Sequence, residues 1–404
     1  MTPEVLADLG GGASAPATIG FLRSGQLAKH LHLLLALLRE CTGARREAAD
    51  RALAVLGEAQ RARPDVTEDL LSAPLTGAWL ASAVRHRAAE PDTLGRLAAL
   101  AVVAGARAGL SGEFVVPARH GAVHLPGHGS VAGVPGDGVR VAYAGGRLEL
   151  DGHVALPART IVLGGPCVVA VEDTDAYRDC YHVPATPRLD DAAFARWSAV
   201  LTEAWGLLAD RAPGYAAELT AGLRAVVPLR VEPGSPDVSA TSRIAFGAVA
   251  LSAPRRPDHA AAALVHEFQH SKLSALLDLI ALHSGDPECR YFAPWRRDKR
   301  PIGGMLQGAY AFLAVADLWR RLGTDIATLD ASERSFADLY VQLGEVLATL
   351  RDAPAFNDAG RRMVGSLDDR FHGWLDGTVP VSSMIPAQQR LERHRRLWTD
   401  FNHV

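Results

Sequence analysis

One stretch of this 404-residue chain restricts the fold more than any other: a His-Glu-x-x-His motif, His266 to His270, inside an apolar run that continues to Ile280. Apolar residues at helical spacing predict a buried helix. Two histidines at i and i+4 lie one turn apart on the same face, so both imidazoles can reach one divalent ion. Glu267 projects beside them, where a carboxylate can accept a proton. The motif therefore predicts a metal site on a core helix.

The flanking residues predict where this helix begins and ends. Pro257 lies just outside the predicted start, and Asp258 is the candidate N-cap residue. Gly285 and Pro287 are the first strong helix-breaking residues after the motif. The pattern predicts a helix of about seven turns.

Composition narrows the class of protein. With 48% hydrophobic and 22% charged residues, the chain can form two or three subdomains with their own cores. The formal net charge of −3 argues against a nucleic-acid binder, which needs an excess of basic charge. The four cysteines show no CxxC spacing, so neither a disulfide framework nor a thiolate zinc site is expected. We also expect a cytoplasmic protein without a membrane segment, because no signal peptide or long uncharged apolar run is visible.

The pattern of helix-forming and strand-forming residues changes twice along the chain and predicts three parts. Residues 1–111 read as an N-terminal helical bundle after a mobile lead-in over residues 1–17. Residues 112–189 read as a small β-rich subdomain, and residues 190–404 as a helical catalytic domain that carries the metal helix. We therefore predict a mainly helical α+β fold, with a zincin-like metal helix beside a strand and a small antiparallel β subdomain.

Short β-branched runs separated by Gly and Pro predict the strands of the middle part. These runs are Phe114–Val116, Val139–Tyr143, Thr160–Leu163 and Val168–Val171. Gly145-Gly146 predicts a hairpin turn. His120, His124 and His128 also lie here, and strand and loop histidines of this kind are more often solvated surface residues than metal ligands.

A second extended segment, Arg243 to Leu251, precedes the metal helix. In zincin-type folds a strand beside the metal helix forms the lip of the cleft and pairs with an extended peptide. The sequence therefore predicts a peptide-binding edge at this segment. Another helical pattern, Gly303 to Arg320, follows the metal helix.

The third metal ligand decides between enzyme classes, and the sequence leaves it open. The chain lacks both the Gly and third His that follow a metzincin motif and a gluzincin-type Glu on the following helix. That helix offers Gln307 and Asp317, and we predict that one of them lies near the metal, with core packing as the alternative. Asp278 lies roughly 12 Å along the axis from His270, too far to share an ion, and His283 is farther still.

A site with two histidines and one oxygen ligand also suits iron(II) oxygenases, which keep positions open for a cosubstrate and dioxygen. The natural partner of a cosubstrate carboxylate such as that of 2-oxoglutarate is an arginine fork. Arg296, Arg297 and Arg300 follow the metal helix among aromatic residues and are the candidates for that contact. The alternative is a solvated basic loop.

At this point several segments resemble one known family. They are His266 to Leu273, Ala275 to Leu279, Ala293 to Arg296, Leu306 to Phe312 and Ser242 to Leu251. Together they resemble the HEXXH-motif peptide-modification family, whose members are encoded beside peptide-maturation enzymes in bacterial clusters for ribosomally made, post-translationally modified peptides. The match is strong over Thr241 to Arg320 and diffuse elsewhere.

The resemblance implies an iron(II)- and 2-oxoglutarate-dependent hydroxylase that acts on a β-carbon in a precursor peptide. It implies that His266 and His270 bind the metal and that Glu267 is an outer proton-handling group. The expected partners are the precursor peptide and other maturation enzymes. We assign Phe246 and Tyr310 to the peptide-binding surface.

Two alternatives stay open at the level of sequence. The first is a Zn(II)-dependent zincin-type peptidase in which Glu267 acts as general base. The second is a non-catalytic scaffold in a peptide-maturation complex that retains a structural metal. Fold alone does not separate them, because one scaffold can host different chemistries.

Overall fold

Helices dominate the residues that the computed structural model describes, which are 2–86, 91–134, 138–232, 234–285, 290–323, 329–374 and 381–403. Within these ranges there are thirteen α-helices. They are α1 (Pro3–Gly10), α2 (Pro16–Arg39), α3 (Gly43–Ala62), α4 (Pro64–Leu71), α5 (Pro74–Arg85), α6 (Gly95–Arg107), α7 (Asp191–Arg211), α8 (Pro213–Gly222), α9 (Pro257–Leu279), α10 (Ile302–Leu322), α11 (Leu329–Asp352), α12 (Asp358–His372) and α13 (Val381–Asn402). The predicted mainly helical α+β class is confirmed.

Eleven short strands form three sheets in the described residues. The strands are β1 (Gly112–Pro117), β2 (Ala122–Leu125), β3 (Gly129–Ala132), β4 (Gly138–Ala144), β5 (Arg147–Glu149), β6 (Leu156–Pro157), β7 (Arg159–Gly164), β8 (Cys167–Val171), β9 (Ala225–Pro228), β10 (Ser239–Ala240) and β11 (Ala248–Leu251). Two sheets are antiparallel, in the orders β1-β4-β5 and β2-β3-β6. The β4–β5 hairpin turns at Gly145 and Gly146, whose φ angles of 55° and 81° suit the two-glycine turn that the sequence predicts.

Two sheets fit the predicted small antiparallel β subdomain, and the third sheet departs from it. Its order is β10-β11-β9-β8-β7, and β9 runs parallel to both β8 and β11. Strand β8 from the predicted middle part thus pairs with β9, which lies after residue 189, and β7 joins the same sheet through β8. Parallel strands need a long crossover connection, which places paired strands far apart in sequence. The pairing therefore could not be recognised from local patterns.

The chain divides into two compact units that are each discontinuous in sequence. The motif unit comprises residues 1–22, 199–222 and 254–404, and the sheet unit comprises residues 23–198 and 223–253. The larger core of the sheet unit joins residues of α2 to α6 with the inner faces of β1 to β4. The predicted domain boundaries at residues 111 and 189 stay a prediction. Each of the two units contains residues from more than one of the predicted domains.

In the motif unit, α9 packs against α10, which in turn packs against α11. Phe268 of the motif is fully buried, and its ring lies so close to Gly222 that a Cβ there would come within 2.2 Å of it. The N-terminal residues are also part of this core: α1 is helical, and Ser14 is buried. The predicted mobile lead-in is therefore wrong for the described residues 2–17, because α1 packs on α12, and Gly12 and Ser14 bond to Lys272 of α9.

Both predicted ends of the metal helix need correction. Arg256, rather than Asp258, occupies the N-cap position, and Pro257 is the first helical residue. Asp258 lies in the first turn, where its carboxylate accepts from the backbone N–H of His259. The helix ends at Leu279, six residues before Gly285, with Ile280 in an extended conformation. Pro287 lies outside the described residues, as does Cys289; the cysteines in the described part, Cys41, Cys167 and Cys180, are free thiols.

By length and composition α10 is the one described helix that could cross a membrane. Of its apolar window, 78% is buried inside the protein, as in the core helix of a soluble protein. Its apolar character is therefore accounted for by packing in the motif unit.

Candidate metal centre

The two motif histidines converge on one point. His266 and His270 are half-buried on the same face of α9, and their Nε2 atoms lie 3.1 Å apart. The rings stand nearly perpendicular, at an interplanar angle of 89° with centroids 4.6 Å apart. Two imidazole nitrogens that face one another at this distance share either a proton or a cation. The geometry fits the donor set that a borderline divalent ion such as Zn(II) or Fe(II) prefers.

Gln307 of α10 determines which nitrogen of His270 is available to an ion. The side-chain oxygen of Gln307 accepts from Nδ1 of His270 at 3.0 Å. A proton fixed on Nδ1 leaves the Nε2 lone pair free, as in most metal-binding histidines. The amide nitrogen of Gln307 lies 3.4 Å from Ser274 Oγ, one turn further along α9. Gln307 thus bonds His270 on the Nδ1 side, and its role as the third metal ligand stays a prediction.

The protonation state of His266 also suits ligation. Burial, followed by the charge that His270 can carry, lowers the pKa of His266 to about 3. Its imidazole is therefore neutral at pH 7 and offers a lone pair. Glu267 is buried, with 4% of its surface exposed, and follows His266 directly on α9.

Aromatic rings form one wall of the site. The ring centroids of Phe312 and His266 lie 4.6 Å apart, and those of Trp295 and Phe312 lie 4.7 Å apart. Trp295 packs so closely over Gly308 that a Cβ there would lie 2.2 Å from the indole. Trp295 and Phe312 were not recognised as site residues from the sequence, although the Ala-Pro-Trp-Arg segment pointed to this region. The Phe312 ring covers one side of His266, and Trp295 packs behind it.

The three predicted cosubstrate arginines differ in their surroundings. Arg296 and Arg297 are exposed, and Arg296 pairs with Asp298 at 2.8 Å. Arg300 is partly buried; its nearest contact to Asp298 is 3.4 Å, and its guanidinium lies against Gly304. Gly304 precedes Gln307 by three residues on α10, so the two lie on neighbouring positions of one helix face. Of the three, Arg300 is the one whose guanidinium is shown to lie against α10.

Three other candidates lie elsewhere. Tyr310 is buried, its hydroxyl donates to the carbonyl of Leu9 at 2.7 Å, and burial raises its pKa well above the usual value. Asp317 is engaged by Arg320 at 2.8 Å and lies ten residues beyond Gln307, about 15 Å along the helix axis. Phe246 is buried in the sheet unit, within a run of turns where a continuous strand was predicted. The positions of Tyr310 and Phe246 leave little exposed surface for a peptide, and Asp317 is too far away to bind the ion.

Side chains on the opposite face of α9 fix the helix in place. Lys272 is completely buried and pairs with Glu218 of α8, and its Nζ also donates to the Gly12 carbonyl at 2.8 Å. Gln269 donates to the second oxygen of Glu218 at 3.2 Å. Burial lowers the pKa of Lys272, while the adjacent Glu218 carboxylate opposes that shift. The helix is thus held on one face by this ion pair and carries the histidines on another.

No Asp, Glu, His or Cys of the described chain completes a three-residue cluster with His266 and His270. Within the described ranges, the histidine pair therefore has no third acidic ligand of the kind that gluzincin peptidases require. One three-residue cluster does occur elsewhere, in the sheet unit, and consists of His124, Glu172 and Asp175. The expectation that His124 is a solvated surface residue is wrong, because only 11% of its side chain is exposed. His120 and His128 are exposed, as expected.

Comparison of the chain with protein-family models and with curated protein sequences finds no match. The candidate chemistry is therefore that of the residues at the site. They supply two converging imidazoles, an outer amide that orients one of them, a buried carboxylate, an aromatic wall and a nearby guanidinium.

Proposed function

We propose that this protein is an Fe(II)- and 2-oxoglutarate-dependent hydroxylase that modifies a β-carbon of a residue in a ribosomally made precursor peptide. The observation that carries the proposal is the convergence of His266 and His270 through their Nε2 atoms at 3.1 Å, with His270 oriented by Gln307. This pair is a ready divalent-metal site. The resemblance of residues 241–320 to the HEXXH-motif peptide-modification family gives the substrate class.

The two histidines belong to both candidate ligand sets. A facial-triad iron(II) oxygenase uses two histidines and one oxygen ligand, and a catalytic zinc peptidase has three protein ligands and one open position. The described residues supply the two histidines of either set, and the resemblance of residues 241–320 favours the oxygenase. In the overall reaction the peptide C–H and 2-oxoglutarate consume one dioxygen. One oxygen atom enters the peptide hydroxyl, the other enters succinate, and carbon dioxide leaves.

Each named residue has a distinct task in this proposal. His266 and His270 hold the metal, which supplies the redox chemistry when it is bound. Gln307 keeps the His270 proton on Nδ1. Phe312, with Trp295 behind it, excludes water beside His266, and Arg300 is the candidate partner of the cosubstrate's distal carboxylate.

The decisive experiment is anaerobic reconstitution of the full chain with Fe(II) or Zn(II), followed by mass spectrometry of a candidate precursor peptide with and without 2-oxoglutarate. We expect an intact peptide heavier by one oxygen atom, formed together with succinate and only with Fe(II). His266→Ala and His270→Ala each abolish metal binding and turnover, and the two losses are not additive, because one missing ligand already disables the site. His259→Ala is the matched control, since His259 is an exposed histidine on the same helix.

Glu267→Gln separates the two enzyme classes by product and by magnitude. A peptidase that loses its general base loses roughly 10²–10⁴-fold or more in rate. A hydroxylase loses about 10–100-fold, typical of an outer group around a metal. Peptide cleavage by the wild type that is lost in Glu267→Gln and indifferent to 2-oxoglutarate would contradict the proposal. Tight peptide binding without any turnover would instead favour the scaffold.

A further inference from the structure

A second group of metal-ligating side chains lies in the sheet unit, away from any motif. His124 is on β2, Glu172 directly follows β8, and Asp175 lies in the loop after it. The potential ligand atoms of these three residues all lie within 4.8 Å of one another. The backbone N–H of Glu172 donates to the Val226 carbonyl of β9, so the sheet fixes the position of this carboxylate.

One buried nitrogen of this group, His124 Nε2, has no hydrogen bond of acceptable geometry among the described residues, although Asp175 Oδ2 lies 3.2 Å from it. Asp175 Oδ2 itself makes an ion-pair contact with Arg96 Nη1 at 2.8 Å. The Asp175 side chain is 1% exposed, so water does not solvate that oxygen freely. The other oxygen, Oδ1, accepts from the backbone N–H of Tyr177 at 2.8 Å. Thr174 Oγ1 lies 3.5 Å from His124 Nδ1, on the far side of the ring.

An open cavity of about 50 Å³ adjoins the group. Its lining includes Arg96, Pro117, His124, Thr174 and Asp175. This volume accommodates a few water molecules, which is enough to complete the coordination of an ion held by three protein ligands. The group therefore has both converging donors and an entry path, two features expected of a metal site.

We propose that His124, Glu172 and Asp175 form a second metal site, for a divalent transition-metal ion of the Zn(II) class. One imidazole and two carboxylates favour such an ion over Ca(II) or Mg(II), which prefer all-oxygen ligands. The ion connects β2 to the segment after β8, so its role is to stabilise the sheet unit. The site is independent of the His266–His270 pair, because it shares no residue with that pair.

Neighbouring arginines define the competing explanation. Arg96 Nη1 lies 2.8 Å from Asp175 Oδ2, and Arg178 donates through Nη1 to the Asp175 backbone carbonyl at 2.7 Å. If these guanidinium groups alone neutralise the two carboxylates, the group is a buried ion network that needs no metal. A carboxylate that ligates an ion commonly keeps an outer hydrogen bond as well, so the Arg96 contact is compatible with both explanations. Metal stoichiometry separates them.

The test uses the full-length chain, freed of metal with a chelator and dialysed against Zn(II), with bound metal measured by elemental analysis. The wild type is expected to bind about two equivalents, and His124→Ala/Glu172→Gln about one. His266→Ala/His270→Ala also binds about one, and the fourfold variant binds essentially none. His128→Ala is the matched control, because His128 is exposed near the same strand, and it keeps two equivalents.

A spectroscopic measurement distinguishes the loss of a metal ligand from the misfolding of a variant. Co(II) replaces Zn(II) with visible absorption bands that report the ligand set. Glu172→Gln alone preserves side-chain shape, and it is expected to change these bands and weaken binding by at least tenfold, with an unchanged far-UV circular dichroism spectrum. A wild type that binds one equivalent, lost in His266→Ala/His270→Ala and retained in His124→Ala/Glu172→Gln, overturns this inference but leaves the proposed function standing. The opposite pattern supports the second site and removes the first.

Discussion

At the scale of single residues, the Gln307 amide is the contact on which the proposed metal pair most depends. His270 has two nitrogens, and Gln307 bonds Nδ1 at 3.0 Å while Nε2 faces His266. Without the Gln307 acceptor, no contact between His266 and His270 favours the His270 tautomer that has its proton on Nδ1. Outer-sphere partners of this kind typically contribute 10–100-fold to metal affinity.

Gln307→Leu is therefore expected to weaken Fe(II) or Zn(II) binding by about 10–100-fold, without unfolding the protein. Gln307→Glu keeps an acceptor for Nδ1–H and should retain most of the affinity, which makes it the conservative control. Competition with a metal-sensitive dye measures both dissociation constants. Equal affinity of wild type and Gln307→Leu would show that Nδ1 needs no partner here.

The arginines lead to a second prediction at this scale. Arg300 lies against α10 near Gln307, whereas Arg296 is exposed and paired with Asp298. Arg300→Ala should raise the KM for 2-oxoglutarate by about tenfold or more, because one charge-assisted bond contributes about 1.5–3 kcal/mol. The KM for the peptide should change little. Arg296→Ala serves as the matched control, and equal effects of both variants would assign the loop to peptide binding or to structure.

At the scale of elements, α9 is a helix with two separately anchored faces. The histidine face meets Gln307 of α10, and another face buries Lys272 against Glu218 of α8. Removing one partner of a buried ion pair leaves an uncompensated charge and typically costs about 3–5 kcal/mol. The pair therefore fixes the position of the metal helix in the core.

Lys272→Met should lower the free energy of unfolding by about 3–5 kcal/mol, because Glu218 then remains buried without its cation. Lys272→Met/Glu218→Gln should recover much of that loss, since the amide is neutral and Gln269 can still bond to it. Urea denaturation at pH 7 measures both variants. A loss below about 1 kcal/mol in the single variant would mean that Glu218 takes up a proton or reaches water.

The sequence predicts elements better than their ends and partners. The apolar period around the motif predicts α9, and alternating β-branched runs predict β1, β4, β7 and β8. The early end of α9 has a non-local cause. Backbone groups of residues 281–284 bond to residues 355–357, including Leu282 to Asn357 and Ser284 to Ala355, and this pairing competes with further helix. Local propensity carries no information about such a contact.

The same limit applies to the candidate site. Spacing alone identifies His266 and His270, because i and i+4 fix their relation within one helix. The bond from His270 to Gln307 spans 37 residues, and the position of Gln307 relative to Nδ1 or Nε2 depends on how α10 packs. Tyr310 lies one turn away on α10, yet its hydroxyl meets Leu9. His124 has no helical partner that would reveal its cluster.

At the scale of the whole molecule, each of the two units is built from separated segments of the chain, and this determines which fragments can fold alone. The motif unit includes residues 1–22 as well as two later segments. Leu6, Leu9, Ile19 and Leu22 of the first segment are buried. Burying four such side chains contributes about 6–12 kcal/mol at roughly 1.5–3 kcal/mol each, which is comparable to the total stability of an ordinary domain.

A fragment of residues 190–404 is therefore expected to lack cooperative unfolding, although it contains the entire motif. It loses the Gly12 carbonyl and the Ser14 hydroxyl that bond Lys272 Nζ, and the Leu9 carbonyl that accepts from Tyr310. Buried polar groups left without partners cost about 1–3 kcal/mol each, and more when charged. Thermal unfolding followed by circular dichroism, with the full chain as control, measures the effect. A sharp transition and intact metal binding in the fragment would instead establish residues 190–404 as an autonomous catalytic domain, which is the domain boundary that the sequence predicts.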